Sequence, residues 1–238
     1  MRTAAAIVGV LLAGALIGPA MAQNANGTDR WSGWYLGFGT SRTSGQWTVD
    51  GASDNVELQH EANNDSGTWN ASLGYNHRLG DRLLVGIEAS FTSTDLEGTV
   101  FPAWSYAPGT PDRFAVSTYR VPRFLAVTGR LGFVPAAAWM LHLDAGLAEG
   151  KVYHEWADLD SLYEGEFGAG SASASGTVLG AGVAWSIDAR WSFTLDYRRI
   201  ELDRETFDYP GIDNYPLPTH FRVETEIDTL NAGLTYRF

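Results

Sequence analysis

The sequence predicts an all-β chain, an eight-stranded antiparallel up-and-down transmembrane β-barrel with four long extracellular loops. Three observations carry that expectation. Short segments alternate apolar with small or polar residues at period two. Tight and long connections between those segments alternate strictly. Aromatic side chains collect at the tight-turn ends.

The N-terminus comes first in chain order. Arg2 precedes an apolar stretch from Ile7 to Ile17, Gly18-Pro19 breaks it, and Ala20-Met21-Ala22 has the small-x-small form of a cleavage site. That order of parts predicts a cleavable signal peptide over residues 1–22 and a barrel over residues 23–238. An uncleaved anchor fits less well, because the apolar core falls short of the roughly 20 residues a spanning helix needs.

The strand segments follow. Trp34, Leu36 and Phe38 alternate with Tyr35, Gly37 and Gly39. Trp69, Ala71, Leu73 and Tyr75 alternate with Asn70, Ser72, Gly74 and Asn76. The same rhythm runs through Leu83–Phe91, Leu125–Phe133, Trp139–Leu147, Leu179–Trp185, Trp191–Tyr197 and Leu230–Phe238. Successive strand residues point to opposite faces, so each segment separates an apolar environment from a small, polar one. Segments of about ten residues suit tilted strands crossing a bilayer.

Tight turns are expected around Gly80-Asp81, Pro135-Ala136 and Ile187-Asp188. Long loops are expected near Arg42–Ser66, Ser93–Thr118, Lys151–Ser175 and Ile200–His220. Short periplasmic turns opposite long extracellular loops are the habit of outer-membrane barrels. Trp31, Trp34, Tyr75, Phe133, Trp139, Trp185, Trp191, Tyr236 and Phe238 fall at the turn end, where an interfacial girdle is expected. Phe91, Tyr119 and Tyr197 are candidates for a second ring.

A soluble barrel would show the same period with its faces exchanged, apolar side chains inside. The polar face here is rich in Gly, Ser and Asn, which suits a cramped lumen better than a solvated exterior. The chain has no cysteine, so stability must come from elsewhere than disulfides, and barrel closure is one source. The formal net charge is -12, and loss of the leader would remove Arg2 and no acid. Nucleic acid is therefore not an expected partner. Lys151 is the only lysine.

Four segments carry a family likeness: Gly33-Trp34-Tyr35-Leu36-Gly37, Val85 through Phe91, Gly129 through Phe133, and Leu234 through Phe238. Through them the chain resembles the small eight-stranded outer-membrane barrels of Gram-negative bacteria. These are the opacity-protein and OmpA-barrel kind, and especially the alphaproteobacterial "porin family" surface antigens. The resemblance covers most of residues 23–238, with the long loops unmatched. It implies an outer-membrane location and a role for Phe238 as a signal read by the barrel-assembly machinery. Ala184 stands where such proteins often carry an inward acid.

Candidate sites come from parity. Glu88, Arg130, His142, Asp144, Asp196 and Arg198 share the expected inward face. A charge in a narrow lumen must be paired, so an interior plug of ion pairs among Glu88, Arg130, Asp144, Asp196 and Arg198 is expected, with Arg130 bridging Glu88 and Asp144. The functional alternative is a gated ion path, but eight-stranded barrels are filled by side chains. Arg42, Arg123 and Arg199 have outward parity near the expected outer headgroups, where guanidinium forks can bind lipopolysaccharide phosphate or simply snorkel.

The loops carry acids: Asp50, Asp54, Glu57, Glu61 and Asp65; Asp158, Asp160, Glu164 and Glu166; Glu201, Asp203, Glu205, Asp208 and Asp213, the last group beside Phe207, Tyr209 and Tyr215. Their spacing is not that of an EF-hand, so a solvated or partner-contact surface is expected rather than a metal site. His60-Glu61 and His154-Glu155 lie in no nucleophile–base motif. The expectation is a non-enzymatic outer-membrane surface barrel without cofactors, supporting envelope integrity or loop-mediated surface contact. Its partners would be outer-membrane lipid, lipopolysaccharide and the assembly machinery. A small-solute porin and a lipid-modifying enzyme are the alternatives.

Overall fold

A computed structural model describes residues 30–53, 56–100, 115–158, 165–209 and 219–238; the expected leader over 1–22 lies outside them. Eight strands follow in chain order: β1 (Gly33–Ser53), β2 (Val56–Arg78), β3 (Leu83–Val100), β4 (Ala115–Ala136), β5 (Trp139–Asp158), β6 (Gly165–Ser186), β7 (Trp191–Tyr209) and β8 (Thr219–Arg237). Each pairs antiparallel with the next, and β1 pairs with β8 to close the ring.

The tight turns occupy 79–82, 137–138 and 187–190. Gly80 has φ 110, a conformation side chains resist, and so it suits the first turn. The second turn sits at Ala137-Ala138, just beyond the expected Pro135-Ala136, and the β4–β5 register shifts between Phe133 and Ala136, around Pro135. A second shift, between Arg120 and Phe124, spans Pro122; proline cannot donate to a ladder and is confined to such irregularities. In the third turn the Asp188 carboxylate accepts the N–H groups of Arg190 (2.7 Å) and Trp191 (2.8 Å), which hold its pKa below the ordinary carboxylate value.

The four long loops are largely strand. Between described strands the connections shrink to 54–55, 101–114, 159–164 and 210–218. The cause is a change of phase. On β8, Leu230, Leu234 and Tyr236 point outward, while Asn231, Thr235 and Arg237 point into the lumen. Above Asp228 the geometry continues, but the chemistry exchanges faces. Phe221, Val223 and Ile227 now fill the interior, and Arg222, Glu224 and Glu226 face outward. On β1 the outward series Leu36, Phe38 gives way to Arg42, Ser44 and Gln46, and Trp47 and Val49 turn inward.

The molecule therefore has two zones. The lower zone carries lipid-facing apolar residues, such as Phe38 at 65% and Leu179 at 65% exposure, around a polar lumen. Phe38 stacks on Trp69, and Trp69 packs against Phe91, so these and Tyr197 form the outer aromatic ring. The upper zone is built like a water-soluble β-protein, its core formed by Trp47, Tyr119, Val121, Phe124, Val152, Ile200, Phe207, Tyr209 and Phe221 among others. Tyr119 is thus fully buried in this core and is no member of an interfacial ring. Full burial of each large apolar side chain is worth about 1.5–3 kcal/mol.

Closure is complete only in the lower zone. The β2–β3 ladder ends at Asn70–Thr92, and the β6–β7 ladder ends at Gly176–Leu202. Above those points β2 pairs only with β1, β3 only with β4, β6 only with β5 and β7 only with β8. The upper zone is two four-stranded sheets, β7-β8-β1-β2 and β3-β4-β5-β6, clasped over an apolar core. Each seam is bridged by side chains that reach past the peeled strand. Leu96 of β3 lies by Gly45 and Trp47 of β1. Tyr209 and Phe207 of β7 lie over Gly168 and Gly170 of β6 and reach His154 of β5.

Candidate functional site

The lower lumen holds one connected polar network. Arg130 and Asp144 are direct cross-strand partners. Arg130 donates through Nε to Asp144 at 2.8 Å and through a terminal nitrogen at 3.0 Å, a bidentate fork. It also reaches Glu88 at 3.2 Å and the Tyr35 hydroxyl at 2.9 Å, and Tyr35 in turn donates to Glu88 at 2.8 Å. Arg198, across the lumen on β7, pairs with the other Glu88 oxygen, donates to Ser90 at 2.9 Å and lies 3.5 Å from Asp144. The His142 ring lies between Asp144 (3.3 Å) and Asp196 (2.8 Å).

All five sequence-predicted interior residues meet in this network, and Arg130 stands between Glu88 and Asp144. Sequence reasoning placed His142 on the right face without giving it a role, and it gave Tyr35 and Ser90 none. Parity marked all three as inward. Glycines make the room: a side chain at Gly74 would run into the Tyr35 ring, and one at Gly182 would meet the His142 ring (2.7 Å) and Asp196. Buried charges of this kind persist because each is answered by another; removing one partner leaves the rest exposed to the full desolvation cost.

Below the network an apolar plug closes the periplasmic end. It comprises Trp31, Leu84, Val134, Met140 and Ala184. Trp31, expected in the girdle, is instead 1% exposed; its indole donates to the Ala137 carbonyl at 3.2 Å, and the Arg237 guanidinium lies over its ring. Its place before β1 lets the chain fold back into the lumen, which parity counting from the strand could not reveal. Ala184 is buried in this plug. Trp139, Trp185, Trp191, Phe133 and Phe238 remain on the outside of this end. The residual cavity, lined in part by Asn70, Ser72, Thr194 and Asn231, is about 40 Å³, room for a few waters.

At the outer rim Arg42, Arg123 and Arg199 all face outward. Arg42 is paired with Asp65 at 3.2 Å. Arg199 grips Asp228 through two nitrogens at 2.9 and 3.0 Å, and Tyr197 donates to the same carboxylate at 2.6 Å. Arg123 has no ion-pair partner among the described residues.

Above the rim the acids divide. Asp50, Asp54, Glu57, Glu61, Asp158, Asp160, Glu164, Glu166 and Asp213, together with Tyr215, lie outside the described side chains. Glu201 and Glu226 stand directly opposite each other on the outer face of β7–β8. Asp208 pairs with His220 at 2.6 Å, and Arg204 with Glu224. Phe207 and Tyr209, expected beside these acids as contact residues, are core residues. His154 and Glu155 point to opposite faces: His154 stacks on Tyr119 at 4.6 Å inside, and Glu155 pairs with Arg120 outside. They cannot act together on one substrate. His60 and Glu61 lie outside the described side chains. Among the described residues no three His, Cys, Asp or Glu groups converge for a metal.

A closed ring of eight antiparallel strands with an apolar belt, aromatics at both edges and a plugged polar lumen defines an integral outer-membrane β-barrel. A family model described as "Outer membrane protein beta-barrel domain" matches residues 8–238, and the chain belongs to that family. The 31 kDa outer-membrane immunogenic protein of Brucella melitensis is similar, 23% identical over 229 residues that cover 89% of this chain and 85% of that protein. Among solved structures, the outer membrane protein OprG of Pseudomonas aeruginosa superposes with TM-score 0.53 at 11% identity, covering 87% of this chain and 97% of its own. The outer membrane protease OmpT of Escherichia coli gives TM-score 0.50 at 10% identity, with 86% and 96% covered. At such identities these two speak to the fold alone. The protein is an outer-membrane barrel with an outer-membrane immunogenic protein among its relatives.

Proposed function

We propose that this protein is a non-conducting, non-enzymatic surface barrel that holds a rigid, acidic double sheet above the outer membrane for contact with other molecules. The observation that carries this reading is the exchange of faces along β1 and β8, whose inward residues above the rim join those of β3, β4, β5, β6 and β7 in one apolar core. Residues that would be mobile loops on a simple porin form instead a packed body with its own apolar core. A chain that serves only to conduct has no need of such a core outside the bilayer.

Three stacked barriers support the non-conducting part: the apolar plug around Trp31 and Met140, the ion-pair network around Arg130, and the aromatic core around His154. A conducting path needs a continuous wet lumen, and the small cavity lies among the first two. The separation of His154 from Glu155 supports the absence of hydrolase chemistry at the one described pair.

At the rim, lipopolysaccharide phosphate is the proposed contact of Arg123, and of Arg42 and Arg199 in exchange with Asp65 and Asp228. Phe238, whose ring packs edge-on against Tyr236, is the proposed recognition point for the assembly machinery. The test is conductance of the refolded chain in a planar lipid bilayer, with insertion shown by heat-modifiable gel mobility. Electrical silence of the inserted protein is expected. Recurrent stepwise openings would reject the reading in favour of a porin.

A further inference from the structure

Every sheet edge exposed to water is a template for a further strand, and proteins blunt such edges with charge, proline or bulges. The seams of the upper zone expose four edges, and their chemistry differs. The β7 edge carries Asp203, Arg204, Glu205 and Asp208, and the β3 edge carries Asp95 and Glu97. At the β2–β3 seam the two strands are also tied, by the Asp95 N–H to the Ser66 hydroxyl at 3.2 Å. The β6 edge has none of these defences. From Gly168 to Ser175 it reads Gly-Ala-Gly-Ser-Ala-Ser-Ala-Ser, without a charge, a proline or a bulky side chain on either face. Its ladder to β5 runs through this stretch with no register shift, from Trp156–Gly168 to Glu149–Ser175. Among the described residues this edge is therefore regular, paired to β5 on one side and to no strand on the other, with Tyr209 and Phe207 lying over Gly168 and Gly170 on the inner face alone.

We propose that the open edge of β6 over residues 168–175 is a docking strand for an extended, cationic peptide segment of another protein. The inference rests on the surface-contact reading above. Backbone pairing to the edge would supply affinity, as in other strand-addition complexes. Charge selects the partner. Glu201 and Asp203 of β7 stand on the outer face beside the seam, with Glu226 directly opposite Glu201 on β8. Lys151 is the opposing cation on β5, and Arg204 is already held by Glu224. A guest strand running antiparallel to β6 would project alternate side chains outward beside the acids of β7 and β8. Lysine or arginine at every second position answers them; glutamate there would be repelled.

The test uses the full refolded chain in detergent micelles. A fluorescent peptide of alternating threonine and lysine, long enough to span 168–175, is titrated beside a threonine–glutamate twin. Saturable binding of the lysine peptide, weakened by salt and tighter than the twin by about tenfold or more, is expected. Hydrogen exchange should slow at 168–175 on binding.

Two variants, Ser171→Pro and Ala172→Pro, separate backbone pairing from mere charge attraction. Adjacent strand residues turn their N–H groups to opposite sides, so one variant removes a seam-side donor and spares the β5 ladder. The variant that keeps the wild-type melting temperature should lose peptide binding. Equal binding of both peptides, or full binding to that variant, overturns the proposal. No binding by the folded protein also overturns it, yet leaves the surface-barrel reading in place, because that reading fails only on conductance.

Discussion

The two zones solve the same problem with opposite solvents. Below Asp228 the strand's outward residues are Leu230, Leu234 and Tyr236, facing lipid, and polar groups must find partners in the lumen. Above it the outward residues are Arg222, Glu224 and Glu226, facing water, and the lumen is where apolar side chains hide. One continuous strand serves both because its geometry is indifferent to which face is apolar. The backbone follows the same logic. In lipid every strand edge must be paired, and the lower ring is closed all the way round. In water an edge can hydrogen-bond to solvent, and there the ring opens at two seams.

Substitutions at comparable positions should therefore behave differently in the two zones. The largest effect is expected at the lumen network. Arg130→Ala removes the fork on Asp144 and one of the two guanidiniums on Glu88 and should cost about 3–5 kcal/mol, read as early loss of the heat-modifiable folded band. Mutating Glu88, Arg130, Asp144 and Arg198 together to uncharged residues of similar size should cost less than Arg130→Ala alone. A larger loss in the quadruple variant would mean that the pairs hold the barrel up rather than merely satisfy one another.

Next comes Phe221→Ala, which opens a cavity beside His154 and Tyr209. About 3–5 kcal/mol is expected, but confined to the upper zone. Limited proteolysis should clip the upper strands while the lower barrel keeps its folded mobility. Simultaneous loss of both would mean that the zones fold as one unit.

The lipid face is tested by Leu143→Arg, which should cost about 2–4 kcal/mol if Leu143 lies near the midplane. Its counterpart, Gln46→Arg, points outward in the upper zone and should change stability by no more than about 0.5 kcal/mol. Equal costs would erase the boundary between the zones. Smallest is Arg199→Ala, which breaks an exposed pair with Asp228 and should cost about 0–1 kcal/mol, less in high salt.

Much of this was legible in the sequence, and what was missed has one main physical cause. Parity on the lower strands found the eight strands, the tight turns and the five charged residues of the lumen, because alternation there has a constant phase. At the rim the apolar series jumps from even to odd positions on β8, from Leu230 to Ile227, and the jump reads as the end of a strand. So Trp47, Tyr119, Phe207 and Tyr209 read as loop or interface residues, although Trp47 with Val49, Tyr119 with Val121 and Phe207 with Tyr209 keep a period-two spacing. The seams left no such trace: ladder ends depend on which strands diverge, and no local pattern in β6 records where β7 leaves it. Trp31 was misplaced because a residue before the first strand has no parity to count from.

The central claim is that each strand changes solvent at the rim, and β8 tests it in one series. Single cysteines at the outward positions 222, 224, 226, 228, 230, 232, 234 and 236 would be spin-labelled in the refolded protein in bilayers. Each label's exposure to oxygen and to a water-soluble relaxer would then be compared. Positions up to 228 should report water and positions from 230 should report lipid, with the crossover between Asp228 and Leu230. A lipid signal reaching position 224, or a water signal reaching position 234, would contradict the two-zone account.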